Sequence, residues 1–409
     1  MKPYYYFIDM FFVAVMLGYI NHKYIKMQTT IAIMTSSLLF TVFIILFGHI
    51  SLLSEIKPLI IGFTKDIDFY KLLMKGMLPY LLFAGSINID LGELKSEKNI
   101  VGVLSILSTI LSAVLIATII YYIFNFIGQD LPYVYCLLFG SLISPTDPIA
   151  VLGVLKEFPY SKDLSVKLAG ESLFNDGVGI VLFATFYALV QGNSDITLYS
   201  VISLFVIKAM GGVTWGIILG VVMYQLLKGI DDKKLEVLIT LAFVTTGYSL
   251  AEQESISGPL AMVVSGIFIG NKSDIFGTSN KSNSYLITFW ELIDEILNVM
   301  LFLFMGFEII VIDYDVNSLA IVFTILTVLL ARYITVAIPV IALNGFKLVK
   351  DNHINVLTWG GLRGGLAIAL ALALPNNHYK EIILSLTYSV VVFSVIIQGS
   401  TVKYLLPNK

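Results

Sequence analysis

Runs of about twenty predominantly apolar residues recur from one end of this chain to the other, and that recurrence constrains the fold more than any other feature. A helix rising about 1.5 Å per residue needs roughly twenty residues to cross the ~30 Å hydrocarbon core of a bilayer. Inside hydrocarbon every backbone polar group must be satisfied within the structure, and helices meet that demand segment by segment. The chain has 409 residues, 57% hydrophobic and 13% charged, and no stretch between the apolar runs can build a core in water. It therefore reads as an all-α polytopic membrane protein: a single membrane domain is expected over residues 1–409, with no soluble regulatory domain. A formal net charge of -3 offers no basic face to neutralise phosphates, so nucleic-acid binding is excluded as the default reading. The single cysteine, Cys136, sits in an apolar run and reads as a small buried side chain.

Thirteen spans are predicted, at residues 4–20, 28–47, 72–89, 99–127, 132–156, 165–191, 198–228, 234–252, 256–270, 285–311, 317–345, 353–375 and 380–402. The first is a retained helix, because no small-residue cleavage site follows it. Residues 49–70 fit either a surface-lying helix or a loop. An odd number of spans puts the termini on opposite sides, and the lysines choose the orientation. Loops sharing a side with the C-terminus carry sixteen lysines, among them Lys23, Lys95, Lys167, Lys234 and Lys350, against six on the other side. The C-terminus is expected in the cytoplasm and the N-terminus outside.

Ionisable groups at bilayer depth cost a few kcal/mol or more, so each needs a partner or a function. Asp147, Asp176, Arg332 and Arg363 lie near the middle of the fifth, sixth, eleventh and twelfth spans, and Glu171 shares the sixth with Asp176. Arg332 and Arg363 are the only arginines in the chain; every other basic residue is lysine. A guanidinium can hold a carboxylate through two parallel hydrogen bonds in a dry site, and both positions are too central for snorkelling. Pro145 and Pro148 flank Thr146 and Asp147, so the fifth span should break there. Gly360, Gly361, Gly364 and Gly365 surround Arg363 and weaken the twelfth span in the same way.

If spans 1–6 and 8–13 are two copies, each broken span is the fifth of its copy. The predicted division is a first repeat over residues 1–191, a connecting helix at 198–228 and a second repeat over 234–409. The odd connector inverts the second copy, an organisation in which broken helices cross at the membrane midplane and form an ion site. On the sixth span, Ser172 and Asp176 share one face, with oxygens suited to a partly dehydrated monovalent cation. Glu171 and Asn175 share the neighbouring face, where Glu171 is expected to pair with Arg363. Glu291, Asp294 and Glu295, at the start of the tenth span, fit either an ion funnel or a solvated helix end.

Residues 144–152 (SPTDPIAVL), 170–177 (GESLFNDG), 302–308 (FLFMGFE) and 359–367 (WGGLRGGLA) together resemble the sodium/proton antiporters of the NhaP type, a family that includes the animal sodium/proton exchangers. The resemblance runs from about residue 20 to the C-terminus. It implies a thirteen-helix, six-plus-six inverted-repeat fold, a homodimer, and exchange of a monovalent cation for a proton without a cofactor. Carried over by residue, it makes Asp176 the carboxylate that binds both ion and proton, with Ser172 and the backbone of Thr146 as further Na+ ligands and Asp147 at the helix crossing. It places Asn175 at the position that marks the electroneutral branch, and Arg332 in support of a Glu171–Arg363 pair. The chain departs from the family at Ala84, where relatives usually carry a glutamate.

A desolvated carboxylic acid holds its proton more tightly than one in water, which lets protons compete with cations at neutral pH. Together with the resemblance, this implies electroneutral 1:1 exchange of Na+, or Li+, for H+ across a bacterial or archaeal plasma membrane, serving pH and sodium homeostasis. A K+/H+ antiporter of the same fold, a cation channel and a non-transporting sensor are the alternatives. An enzyme is not expected: the motifs of intramembrane aspartyl proteases are missing, and intramembrane arginines have no place in that chemistry.

Overall fold

The computed structural model describes residues 2–47, 60, 62, 67–156, 162–191, 198–230, 232–271, 283–311, 317–344 and 352–405. Each of the thirteen predicted spans has a helical counterpart among them. In order these are α1 (Lys2–Ile20), α2 (Thr29–Phe47), α3 (Leu78–Ile87), α4 (Lys98–Ile127), α5 (Tyr133–Ile143) with α6 (Ile149–Lys156), and α7 (Lys162–Val190). There follow α8 (Leu198–Leu227), α9 (Lys233–Gln253), α10 (Gly258–Gly270), α11 (Asn283–Glu308), α12 (Ser318–Asn344), α13 (Asn352–Trp359) with α14 (Gly365–Leu372), and α15 (His378–Leu405). Most of the ambiguous 49–70 stretch lies outside the described residues.

Local chemistry sets the helix ends. The Asp232 carboxylate accepts the backbone N–H groups of Lys234 and Leu235 to start α9, and Asn377 does the same for Lys380 at the start of α15. Gly128 ends α4 at φ 80°, in the left-handed region that favours glycine. Seven described helices are long and apolar enough to cross a membrane unaided, among them Thr29–Phe47, Leu164–Val190 and Ser318–Ala342.

Large apolar side chains also point outward. Leu39, Phe40, Phe43 and Leu46 on α2, and Ile202, Val206, Met210 and Ile217 on α8, are exposed in stripes at helical spacing. A protein folded in water could not keep such a surface; a bilayer solvates it.

The helices pack in two groups. α4, α5, α7, α12, α13, α14 and α15 form one, in which α4 lies against α5 and α12. The other joins α1, α2, α3, α8, α9, α10 and α11 through the α8–α10, α3–α10 and α2–α11 contacts. The broken spans both belong to the first group, and α7 runs along the boundary against α8 and α10.

Candidate ion site at the helix crossing

The fifth span unwinds between α5 and α6, and the twelfth between α13 and α14, as the prolines and glycines imply. The two extended segments meet in an antiparallel bridge, in which the Asp147 N–H donates to the Leu362 carbonyl at 2.8 Å. Gly364 permits that approach: a Cβ there would lie 2.3 Å from Asp147 Oδ2. At Gly361 a Cβ would lie 2.6 Å from Arg332 Nε. These glycines serve close contact, since neither has a positive φ.

Each break frees backbone groups that have no water to turn to. In a continuous helix the Ser144 carbonyl would accept from residue 148, but Pro148 has no N–H. The Pro145 carbonyl would accept from Ile149, whose N–H instead goes to Asp147 Oδ1 at 3.0 Å. Both orphan carbonyls accept from Arg363 Nη1, Pro145 at 2.8 Å. Asp147 thus caps the N-terminus of α6, and Arg363, from the other broken span, caps the C-terminus of α5; each charge opposes the dipole of the half-helix it meets.

The second break is served in parallel. Arg332 Nη2 donates to the Leu357 carbonyl near the end of α13 at 2.8 Å, and Gln398 Nε2 donates to the Trp359 carbonyl at 3.2 Å. Arg332 also holds Glu171 through a fork of two hydrogen bonds, Nη1 to Oε1 and Nη2 to Oε2, the latter at 3.0 Å. Glu171 is 0% exposed and Arg332 5%.

This corrects the expected Glu171–Arg363 pair. Charge alone leaves the buried carboxylate two buried guanidiniums to choose between, and the orphan carbonyls assign the partners. Arg363 is committed to Ser144 and Pro145, which leaves Arg332 to neutralise Glu171.

The expected grouping of Asn175 with Glu171 also changes. Asn175 Nδ2 donates to Thr146 Oγ1 at 2.8 Å, and its Oδ1 accepts the Thr146 N–H at 3.3 Å. Ser172 Oγ donates to the Thr146 carbonyl. One turn of α7 therefore grips the unwound segment at three atoms of Thr146, and sets the Ser172 and Thr146 oxygens side by side.

A cavity of about 200 Å³ opens beside this grip, at the boundary of the two helix groups. Its polar wall is Thr146, Asp147, Ser172, Asp176, Asp294 and Asn298; α3 contributes Leu78, Leu81, Leu82 and Gly85. Asp147 and Asp176 are both partly exposed, and both face this cavity. No lysine or arginine forms an ion pair with Asp176 among the described residues. Ala84 is fully buried.

Of the acidic trio on α11, only Asp294 reaches the cavity, while Glu291 and Glu295 are exposed. Asn298, one turn further on, went unnoticed in the sequence; an amide four residues after an acid in an apolar span was the available signal. Lys167, counted above among the loop lysines, is buried on α7 and pairs with Glu97 at 3.3 Å.

The chain matches the family model described as sodium/hydrogen exchanger, transmembrane, over residues 11–407. It is 40% identical to the Na(+)/H(+) antiporter NhaP of Pseudomonas aeruginosa, over 95% of this chain and 92% of that protein. It is 36% identical to the Na(+)/H(+) antiporter NhaH of Halobacillus aidingensis, over 83% of each chain. Its fold superposes on the sodium proton antiporter MjNhaP1 of Methanocaldococcus jannaschii with a TM-score of 0.79, at 18% identity, over 99% of this chain and 98% of that one. With a helical architecture of this kind and a family model that spans nearly its whole length, the chain belongs to the transmembrane sodium/hydrogen exchanger family.

Proposed function

We propose that the protein exchanges Na+ for H+ across the membrane, one for one, with Asp176 as the group that both ions share. The observation that carries this reading is Asp176 itself: a carboxylate at bilayer depth, facing a cavity, with both intramembrane arginines engaged elsewhere. A bare carboxylate in such a place is costly, so either a proton or a cation must accompany it. The Ser172 hydroxyl and Thr146 carbonyl supply further oxygens for a partly dehydrated Na+. Asp147 is bound into the α6 cap and the crossing, so its charge stays where it is. One exchanging carboxylate moves no net charge per cycle.

Alternation of access follows from the boundary position of the cavity. The first helix group, which carries both breaks, rocks against the second and presents Asp176 to each side in turn. The six-plus-six inverted repeat is supported by the two breaks, each fifth in its half, and by their antiparallel crossing. The lysine asymmetry supports a cytoplasmic C-terminus and an external N-terminus in a plasma membrane, with Lys167 removed from the count. The family resemblance supports a homodimer and a role in pH and sodium homeostasis.

The test is purified protein in proteoliposomes with an internal pH-sensitive dye and an imposed proton gradient, to which Na+, Li+ and K+ are added separately. Dequenching with Na+ or Li+ is expected. A response to K+ alone assigns K+/H+ exchange, and cation flux indifferent to the proton gradient assigns a channel.

A further inference from the structure

The cavity has polar groups that the exchange reading does not use. On α11, Asp294, Asn298 and Leu301 follow the four- and three-residue spacing of one helical face, and all three line the cavity. Asn298 is 2% exposed, and its Oδ1 has no hydrogen-bond partner. A buried carbonyl oxygen left unpaired is costly, so a native site that keeps one implies an occupant.

The character of that occupant follows from the remaining wall. Among the described residues no lysine, arginine or histidine lines the cavity, and the other polar side chains there are three aspartates, a serine and a threonine. The Ser172 hydroxyl already donates to the Thr146 carbonyl, and Thr146 Oγ1 accepts from Asn175. The wall is rich in acceptors and poor in donors, which suits a cation. Asn298 is also close to the crossing: Leu301, one turn along, has its Cδ1 2.6 Å from where a Cβ on Gly365 would sit, and neighbouring Gly364 lies against Asp147.

We propose that Asn298 Oδ1 is a ligand of the transported cation, facing Asp176 and Ser172 from the opposite helix group. Carbonyl oxygens of this kind replace the hydration shell of alkali cations elsewhere. α3 offers Leu78, Leu81, Leu82 and Gly85 to the cavity, so among the described residues α11 is the element of the second group that supplies side-chain oxygen. A cation held this way bridges the two groups. The assignment rests on the exchange reading for the identity of the cation, but makes a separate claim about where it is held.

The experiment compares wild type with Asn298→Ala and Asn298→Asp as full chains. Na+ and Li+ concentrations for half-maximal dye dequenching are read in proteoliposomes, and Na+ binding is read by calorimetry in detergent. Asn298→Ala is expected to raise the half-maximal Na+ concentration about tenfold, the loss of one polar contact to a charge. It should also change the ratio of the Na+ and Li+ values, which a purely structural role would leave alone. Asn298→Asp, which keeps an oxygen in place, should restore Na+ binding to the wild-type value or tighter. Unchanged Na+ affinity and an unchanged ratio in Asn298→Ala overturn the proposal. If that variant does not fold, Asn298→Asp alone decides, since weaker Na+ binding by a variant that adds a carboxylate oxygen contradicts a ligand role. If wild type moves no protons, exchange itself fails, while calorimetry still judges Asn298.

Discussion

Removing Arg332 should be among the most damaging single changes available in this protein. Its fork holds a carboxylate that is 0% exposed, and the same Nη2 serves the Leu357 carbonyl. Truncating one member of a buried pair leaves the other charge unpaired, at about 3–5 kcal/mol, and the lost carbonyl contact adds about 1 kcal/mol. Arg332→Met should therefore lower unfolding free energy by roughly 4–6 kcal/mol, measured by tryptophan fluorescence during SDS titration of mixed micelles. Glu171→Gln in the same background should recover about 2–3 kcal/mol, because the uncompensated carboxylate is gone. A parallel cycle of Glu171→Gln with Arg363→Met should give coupling below about 1 kcal/mol, since Arg363 serves carbonyls. Equal or larger coupling in the second cycle would refute the assignment of partners.

Three further outcomes follow from the same geometry. Gly364→Ala should destabilise the protein by about 1–3 kcal/mol and slow exchange, because its Cβ cannot enter without pushing Asp147 out of the crossing; wild-type rates in proteoliposomes would contradict this. Ser172→Ala should raise the half-maximal Na+ concentration by about tenfold, since it removes both an oxygen beside the cavity and the hold on the Thr146 carbonyl. Exchange rate at fixed ion gradients should not change when membrane potential is clamped with K+ and valinomycin; a systematic dependence would exclude one-for-one exchange.

Much of the fold was legible because bilayer physics writes itself into sequence at low resolution. Thirteen apolar runs, two prolines around Asp147 and four glycines around Arg363 fixed the helices and both breaks, since hydrocarbon offers no alternative partner for freed backbone groups. The meeting of Ser172 and Asp176 at the cavity was legible too, because helical spacing set them on one face of α7, but the hold of Ser172 on the Thr146 carbonyl was not. The arginine partners were not. Opposite charge gives Glu171 two equivalent candidates, and only the count of orphan carbonyls at Ser144 and Pro145 breaks the tie. Asn298 escaped for a related reason: a neutral amide carries no charge to flag it, and its importance depends on which face of α11 meets the cavity.

The claim on which the account depends is that one carboxylate exchanges its proton for a cation. The most direct measurement is proton release when Na+ is added to purified protein in weakly buffered detergent solution, alongside Na+ binding in the same sample. Close to one proton should leave per Na+ bound by wild type, and Asp176→Asn should neither bind Na+ nor release protons. Sodium uptake without proton release, or undiminished release from Asp176→Asn, would contradict it.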